Sequence, residues 1–94
     1  MTATQDNACR TILFELADKH HDRAKFEAYL PEVTDPLILL SLTLAAMYKD
    51  GWTPTDAFGR LYALGFSATE LAAAILNVAS CADELGMPTA TGLN

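Results

Sequence analysis

The chain has 94 residues, 51% of them hydrophobic and only 19% charged, with a mean hydropathy of +0.17, a net charge of −6 and a pI near 4.5. That length makes one domain, 1–94, able to bury roughly two thirds of its unfolded surface without staples. The acidic field argues against nucleic acid and anionic membrane as partners and favours a protein with a basic surface, while the apolar surplus points to an interface. Cys9 and Cys81 lack the CxxC spacing of a metal or redox site and read as buried free thiols. The opening MTATQDNACRT has no basic-then-apolar signal segment, and no run is long enough to cross a bilayer, so a cytoplasmic location is expected.

In chain order, residues 1–5 are expected to be flexible. A helix from about Asp6 places Cys9, Ile12, Leu13 and Leu16 at i, i+3, i+4, i+7. Phe14 falls roughly 140° from that stripe, so it either widens the buried face or stands exposed as a contact. After Lys19-His20-His21, a short helix from Asp22 to about Leu30 groups Phe26, Tyr29 and Leu30, and Pro31 is expected to end it. The connection from Leu30 to Pro36 is stiffened by its two prolines.

Leu37 to Tyr48, LILLSLTLAAMY, is apolar on every face except at Ser41 and Thr43. A helix with no polar stripe must be surrounded, and about 18 Å of rise is too short for a hydrocarbon core of about 30 Å. The run is therefore expected to be the central helix of a soluble fold, with Leu39, Leu40 and Leu44 at the middle of the core. Asp35 offers an N-cap, Pro36 suits the first helical position, and Gly51 suits a left-handed stop.

Gly51-Trp52-Thr53-Pro54-Thr55-Asp56 matches Gly65-Phe66-Ser67-Ala68-Thr69-Glu70 at an offset of 14 residues. Each copy reads as a glycine stop, an aromatic staple, a hydroxyl cap and a carboxylate three residues on, which predicts helix starts at Pro54 and Ala68. The fourth helix, Pro54 to Leu64, should bury Ala57, Phe58, Leu61 and either Tyr62 or Leu64. The fifth, Ala68 to about Leu85, stacks Leu71, Ile75, Val78, Ala79, Ala82 and Leu85 on one side. Its other side carries Ala73, Asn77, Ser80 and Glu84, and Ala72 to Ala74 make a smooth surface. A mobile tail is expected over 87–94. No alternating run of strand length occurs, so the predicted fold is all-α, a small bundle of four to five helices around Leu37 to Tyr48.

The chemistry-bearing residues are few. His20 and His21 lie about 100° apart on a helix, so both cannot ligate one ion, and no third ligand is signalled; no metal and no cofactor is expected. His21-Asp22 resembles the dipeptide of HD phosphohydrolases, which need further histidines on separate helices. Leu64-Gly65-Phe66 resembles the loop of ubiquitin-associated domains over three residues. Ser41 and Thr43 lack a base and read as hydroxyls bonded back to carbonyls one turn earlier, so no catalytic residue is expected.

Asp56 to Asn77 resembles the helix-turn-helix of bacterial repressors, with Gly65-Phe66-Ser67 as its turn. That resemblance implies a small transcriptional regulator as the alternative function. The would-be recognition helix, however, opens with Ala68, Thr69, Glu70 and Leu71, none of them a base reader. The primary expectation is a non-enzymatic protein-binding module, an inhibitor or adaptor covering a surface of a larger partner and self-associating as a dimer. Phe14, Ala73, Ala74 and Asn77 are its candidate contact residues.

Overall fold

The computed structural model describes residues 2–80, which are all-α with no strand among them. Five α-helices pack around one core. Helix α1, Ala3–Lys19, begins earlier than its apolar stripe suggests: Thr2 Oγ1 accepts from the Gln5 N–H at 3.1 Å, and Gln5 Oε1 accepts from the Thr2 N–H at 3.0 Å. This reciprocal capping box makes residues 3–5 helical rather than flexible, and it corrects the expected start at Asp6. Cys9, Leu13 and Ala17 are its fully buried residues.

Helix α2, Arg23–Tyr29, ends just before Leu30-Pro31 as expected, and the chain continues as a 3₁₀ turn, Leu30–Glu32. Only Leu30 is fully buried here. Arg10 fastens the segment to α1. Its Nε meets Asp6 Oδ1 at 2.6 Å, Nη1 donates to the Leu30 carbonyl and Nη2 to the Val33 carbonyl, each at 2.8 Å.

Helix α3, Pro36–Lys49, is the central element, with Asp35 Oδ1 accepting from the Leu37 N–H at 2.8 Å as its N-cap. Leu39, Leu40, Thr43, Leu44 and Met47 are essentially inaccessible. The first turn departs from the expectation of burial on every side: Leu37 is 40% and Ile38 47% exposed. Ser41 and Thr43 hydroxyls donate to the Leu37 and Leu39 carbonyls at 2.6 and 2.9 Å, which satisfies both inside the helix.

Helix α4, Pro54–Ala63, is capped by Thr53, whose hydroxyl accepts from the Asp56 N–H. Helix α5, Ala68–Ser80, starts with a full box in which Ser67 Oγ accepts from the Glu70 N–H and Glu70 Oε1 accepts from the Ser67 N–H. The longer glutamate returns the bond. Leu71, Ala74 and Val78 form its buried stripe, and Ala79 lies at the surface rather than in the core. The expected continuation to Leu85, with Cys81, and the tail at 87–94 fall outside the described residues.

Helices α1, α3 and α4 stop in one way. Two residues past the cap an N–H returns to the third-last helical carbonyl: Asp22 to Ala17 at 2.7 Å, Trp52 to Met47 at 3.0 Å, Phe66 to Leu61 at 3.4 Å. The intervening residue is left-handed, and it is Gly51 and Gly65 at two stops but His21, at φ 61°, at the first. These turns set α3 between α1 and α5, both running in its direction. Cys9 meets Thr43 and Lys19 meets Asp50 along α1, and Asn77 meets Ser41 along α5.

Candidate interaction surface

Two places gather polar or exposed apolar groups, and they differ in what they leave available. The first is Asp50, the residue that caps α3. Its side chain is only 7% exposed; Oδ1 lies 2.9 Å from Lys19 Nζ and 2.7 Å from His20 Nε2, and Oδ2 accepts from Trp52 Nε1 at 3.2 Å. The Lys19 and His20 donors, followed by Trp52, hold this carboxyl below its ordinary range against the opposing effect of burial. A carboxylate so fully supplied with donors is a weak base. It locks the end of α1 to the end of α3. Among the described residues no group of three His, Cys, Asp or Glu side chains is placed to hold a metal ion. Cys9 is buried beside Thr43, and burial pushes its thiol up, so it is inert as a nucleophile.

The second place is the face made by the start of α3 and the outer side of α5. A groove of about 380 Å³ runs between them, lined by Leu37, Leu40 and Ala73 together with Ser67, Thr69 and Glu70. Next to its Ala73 rim stands Leu76, 68% exposed, and Leu37 and Ile38 add their own exposed area. Thr69, Ala72, Ala73, Ala79 and Ser80 complete the outward side of α5. None of them is charged. Glu70 is held below the usual carboxylate range by the Ser67 N–H and then by the Ser67 hydroxyl, so its charge is occupied in capping α5.

The four residues singled out from the sequence are dispersed by the fold. Phe14 is half-buried, with the Arg23 guanidinium 4.8 Å from its ring centroid, so it widens the covered side of α1. Ala74 is completely buried on the stripe of α5 that meets the core, which corrects its reading as surface. Asn77 is bound within the chain, its Nδ2 donating to Ser41 Oγ at 2.9 Å across the α3–α5 seam. Ala73 alone is exposed and borders the groove.

Leu76 was missed, although the spacing held a signal. Leu71, Ala74 and Val78 define the inward stripe of α5, and Leu76 falls roughly opposite to it on a helical wheel. Tyr62, an alternative core residue on α4, is 59% exposed and stacks on Phe58 with centroids 6.0 Å apart, while Leu64 is half-buried. In the helix-turn-helix reading α5 would enter the DNA groove. Its outward side carries no Arg, Lys, Asn or Gln that could read a base edge.

No described helix is long and apolar enough to cross a membrane. Compared with known proteins, the chain matches no family model, no curated protein and no solved structure.

Proposed function

We propose that this protein is a non-enzymatic interaction module, an inhibitor or adaptor that works by covering a surface of another protein chain. One observation carries the reading: Leu37, Ile38 and Leu76 are left 40%, 47% and 68% exposed beside an apolar groove. Contiguous exposed apolar surface on a small domain marks a contact site. Among the described residues every buried side-chain nitrogen and oxygen has a partner, so no buried polar cluster competes with this face as a candidate site. The net charge of −6 favours a partner with a basic surface.

The test compares the wild-type chain with Leu37→Ser/Leu76→Glu, after circular dichroism has established equal helicity. The wild type should bind a hydrophobic dye and, when immobilised, retain protein at physiological salt. The double variant should lose both. Equal dye binding and equal retention by the two chains would refute the reading.

A further inference from the structure

Beside the Asp50 lock, α1, α2 and the end of α3 border a cleft of about 340 Å³. Its apolar lining is Leu16, Ala17, Phe26 and Ala46, and its polar lining is His20, Asp22, Lys25 and Lys49. Leu16, Phe26 and Ala46 pack against the core yet remain only half-buried. Part of that apolar wall is therefore left for something else to cover. We propose that the cleft binds a small monoanion with an apolar body, a carboxylate on a short hydrocarbon chain. Its charged end would meet Lys25 and Lys49, and its body would cover Leu16, Phe26 and Ala46. The cleft lies at the opposite end of α3 from the α3–α5 groove, and the proposal does not rest on the protein-binding reading.

The sign of the ligand's charge follows from which cations are free. Of the six Lys and Arg residues, Arg10 pairs with Asp6, Lys19 with Asp50, and Arg23 with Asp18 and Glu27. Lys25, Lys49 and Arg60 have no ion pair among the described residues, and two of these three line this one cleft. Nearby carboxylates do not claim them, because Asp18 and Glu27 face Arg23 while Asp50 takes Lys19 and His20. Asp22 is the one carboxylate in the lining, and as the N-cap of α2 it makes no side-chain capping bond. Two ammonium groups against one carboxylate leave a surplus of one positive charge, before any contribution from His20. That surplus matches a monoanion, whereas Asp22 would repel the second charge of a dianion. In a chain of net charge −6, such a spot runs against the overall field and selects its ligand at short range.

The size points to a small ligand. A volume of about 340 Å³ lies near the low end of the roughly 300–1,000 Å³ found for small-molecule sites. Ala17 and Ala46 leave the room, since their side chains stop at Cβ. His20 commits Nε2 to Asp50 at 2.7 Å, so its ring is a fixed part of the wall and reports on what enters.

Octanoate is the probe, with octan-1-ol as its neutral counterpart and octylammonium as its cationic one. Binding to the full chain is followed in an NMR titration through backbone amides and the His20 ring. Octanoate should shift Ala17, His20, Phe26 and Ala46 together, with a dissociation constant on the order of 1 mM or below. Octan-1-ol should bind about fivefold more weakly or worse, and octylammonium should leave these residues unshifted. Lys25→Gln and Lys49→Gln, at exposed positions that leave the core intact, should each weaken octanoate about threefold and together about tenfold. Ala46→Leu should abolish binding by filling the cleft. Equal affinity for octanoate and octan-1-ol, or a double lysine variant that binds octanoate as the wild type does, would overturn the proposal. Inorganic phosphate binding as tightly as octanoate would overturn it by showing that the apolar wall is idle. Shifts confined to Leu37, Leu40 and Ala73, or no shift at about 10 mM octanoate, would overturn it as well. The retention test at Leu37 and Leu76 is untouched by each of these outcomes, so the two readings fail separately.

Discussion

Helices α1 and α5 flank the same central helix and run in the same direction, yet they meet solvent in opposite ways. The outer surface of α1 and α2 is closed with charge: Asp6 pairs with Arg10, Arg23 bridges Asp18 and Glu27, and Lys19 and His20 converge on Asp50. The outer surface of α5 has no ion pair among the described residues and carries the exposed Leu76. Exposed pairs of this kind add little stability each, so the contrast concerns what each side can contact. The α1–α2 side is closed by ion pairs. The α5 side is uncharged.

The largest effect should come from the element that both sides share. Leu44 is wholly inaccessible in α3, and Leu44→Ala should cost about 2–5 kcal/mol through lost burial and a residual cavity. Amide exchange should then accelerate in α1 and α5 together. Acceleration in one alone would mean that the two sides have separate cores.

A narrower change addresses the α1 side. Because Asp50 titrates below its ordinary range in the fold, its contribution is complete above the unfolded value near pH 4 and is lost as pH falls through the folded value. Glu70 has the same sign on the α5 side. Asp50→Asn should therefore flatten the acid limb of unfolding, while Glu70 retains part of it. Trp52 fluorescence provides the readout, since its indole N–H bonds to Asp50. An acid limb unchanged in this variant would show that the lock contributes nothing.

On the α5 side, Ser67→Ala should lose about 1 kcal/mol by removing one half of the capping box. Denaturant unfolding measures it, and a loss under a few tenths would mean that packing of Phe66 holds the turn without the cap. The smallest expected effect is a gain. His21 is a non-glycine residue at φ 61° in the position where Gly51 and Gly65 serve the other two helix stops. His21→Gly should stabilise by about 0.5–1 kcal/mol, the relief of left-handed strain less the added freedom of the unfolded chain. Destabilisation would show that the imidazole makes a contact worth more than the strain.

Much of this architecture was legible in the sequence because it depends on local chemistry. Asp35-Pro36, Thr53-Pro54 and Ser67 through Glu70 mark helix starts by hydrogen-bonding rules that act within four residues, and Gly51 and Gly65 mark stops by backbone sterics. The same grammar was present and unread at Thr2 through Gln5, where no apolar stripe draws attention, and at His21, where the left-handed residue is not glycine. The surface was less legible. Whether Phe14, Ala74 and Asn77 are free depends on Arg23, on the direction of the α5 stripe and on Ser41, residues up to 36 positions away. A run as uniformly apolar as Leu37 to Tyr48 also does not reveal which of its turns stays uncovered, because that is decided by where α1 and α5 end.

The central claim is that the α3–α5 face receives another chain, and hydroxyl-radical footprinting of the protein alone and together with a protein that it retains tests it most directly. Leu37 and Leu76 should be modified readily in the free protein and protected together in the complex, while Tyr29 on α2 stays constant. Modification of Leu37 and Leu76 that is unchanged in the complex, or protection confined to α1 and α2, would contradict it.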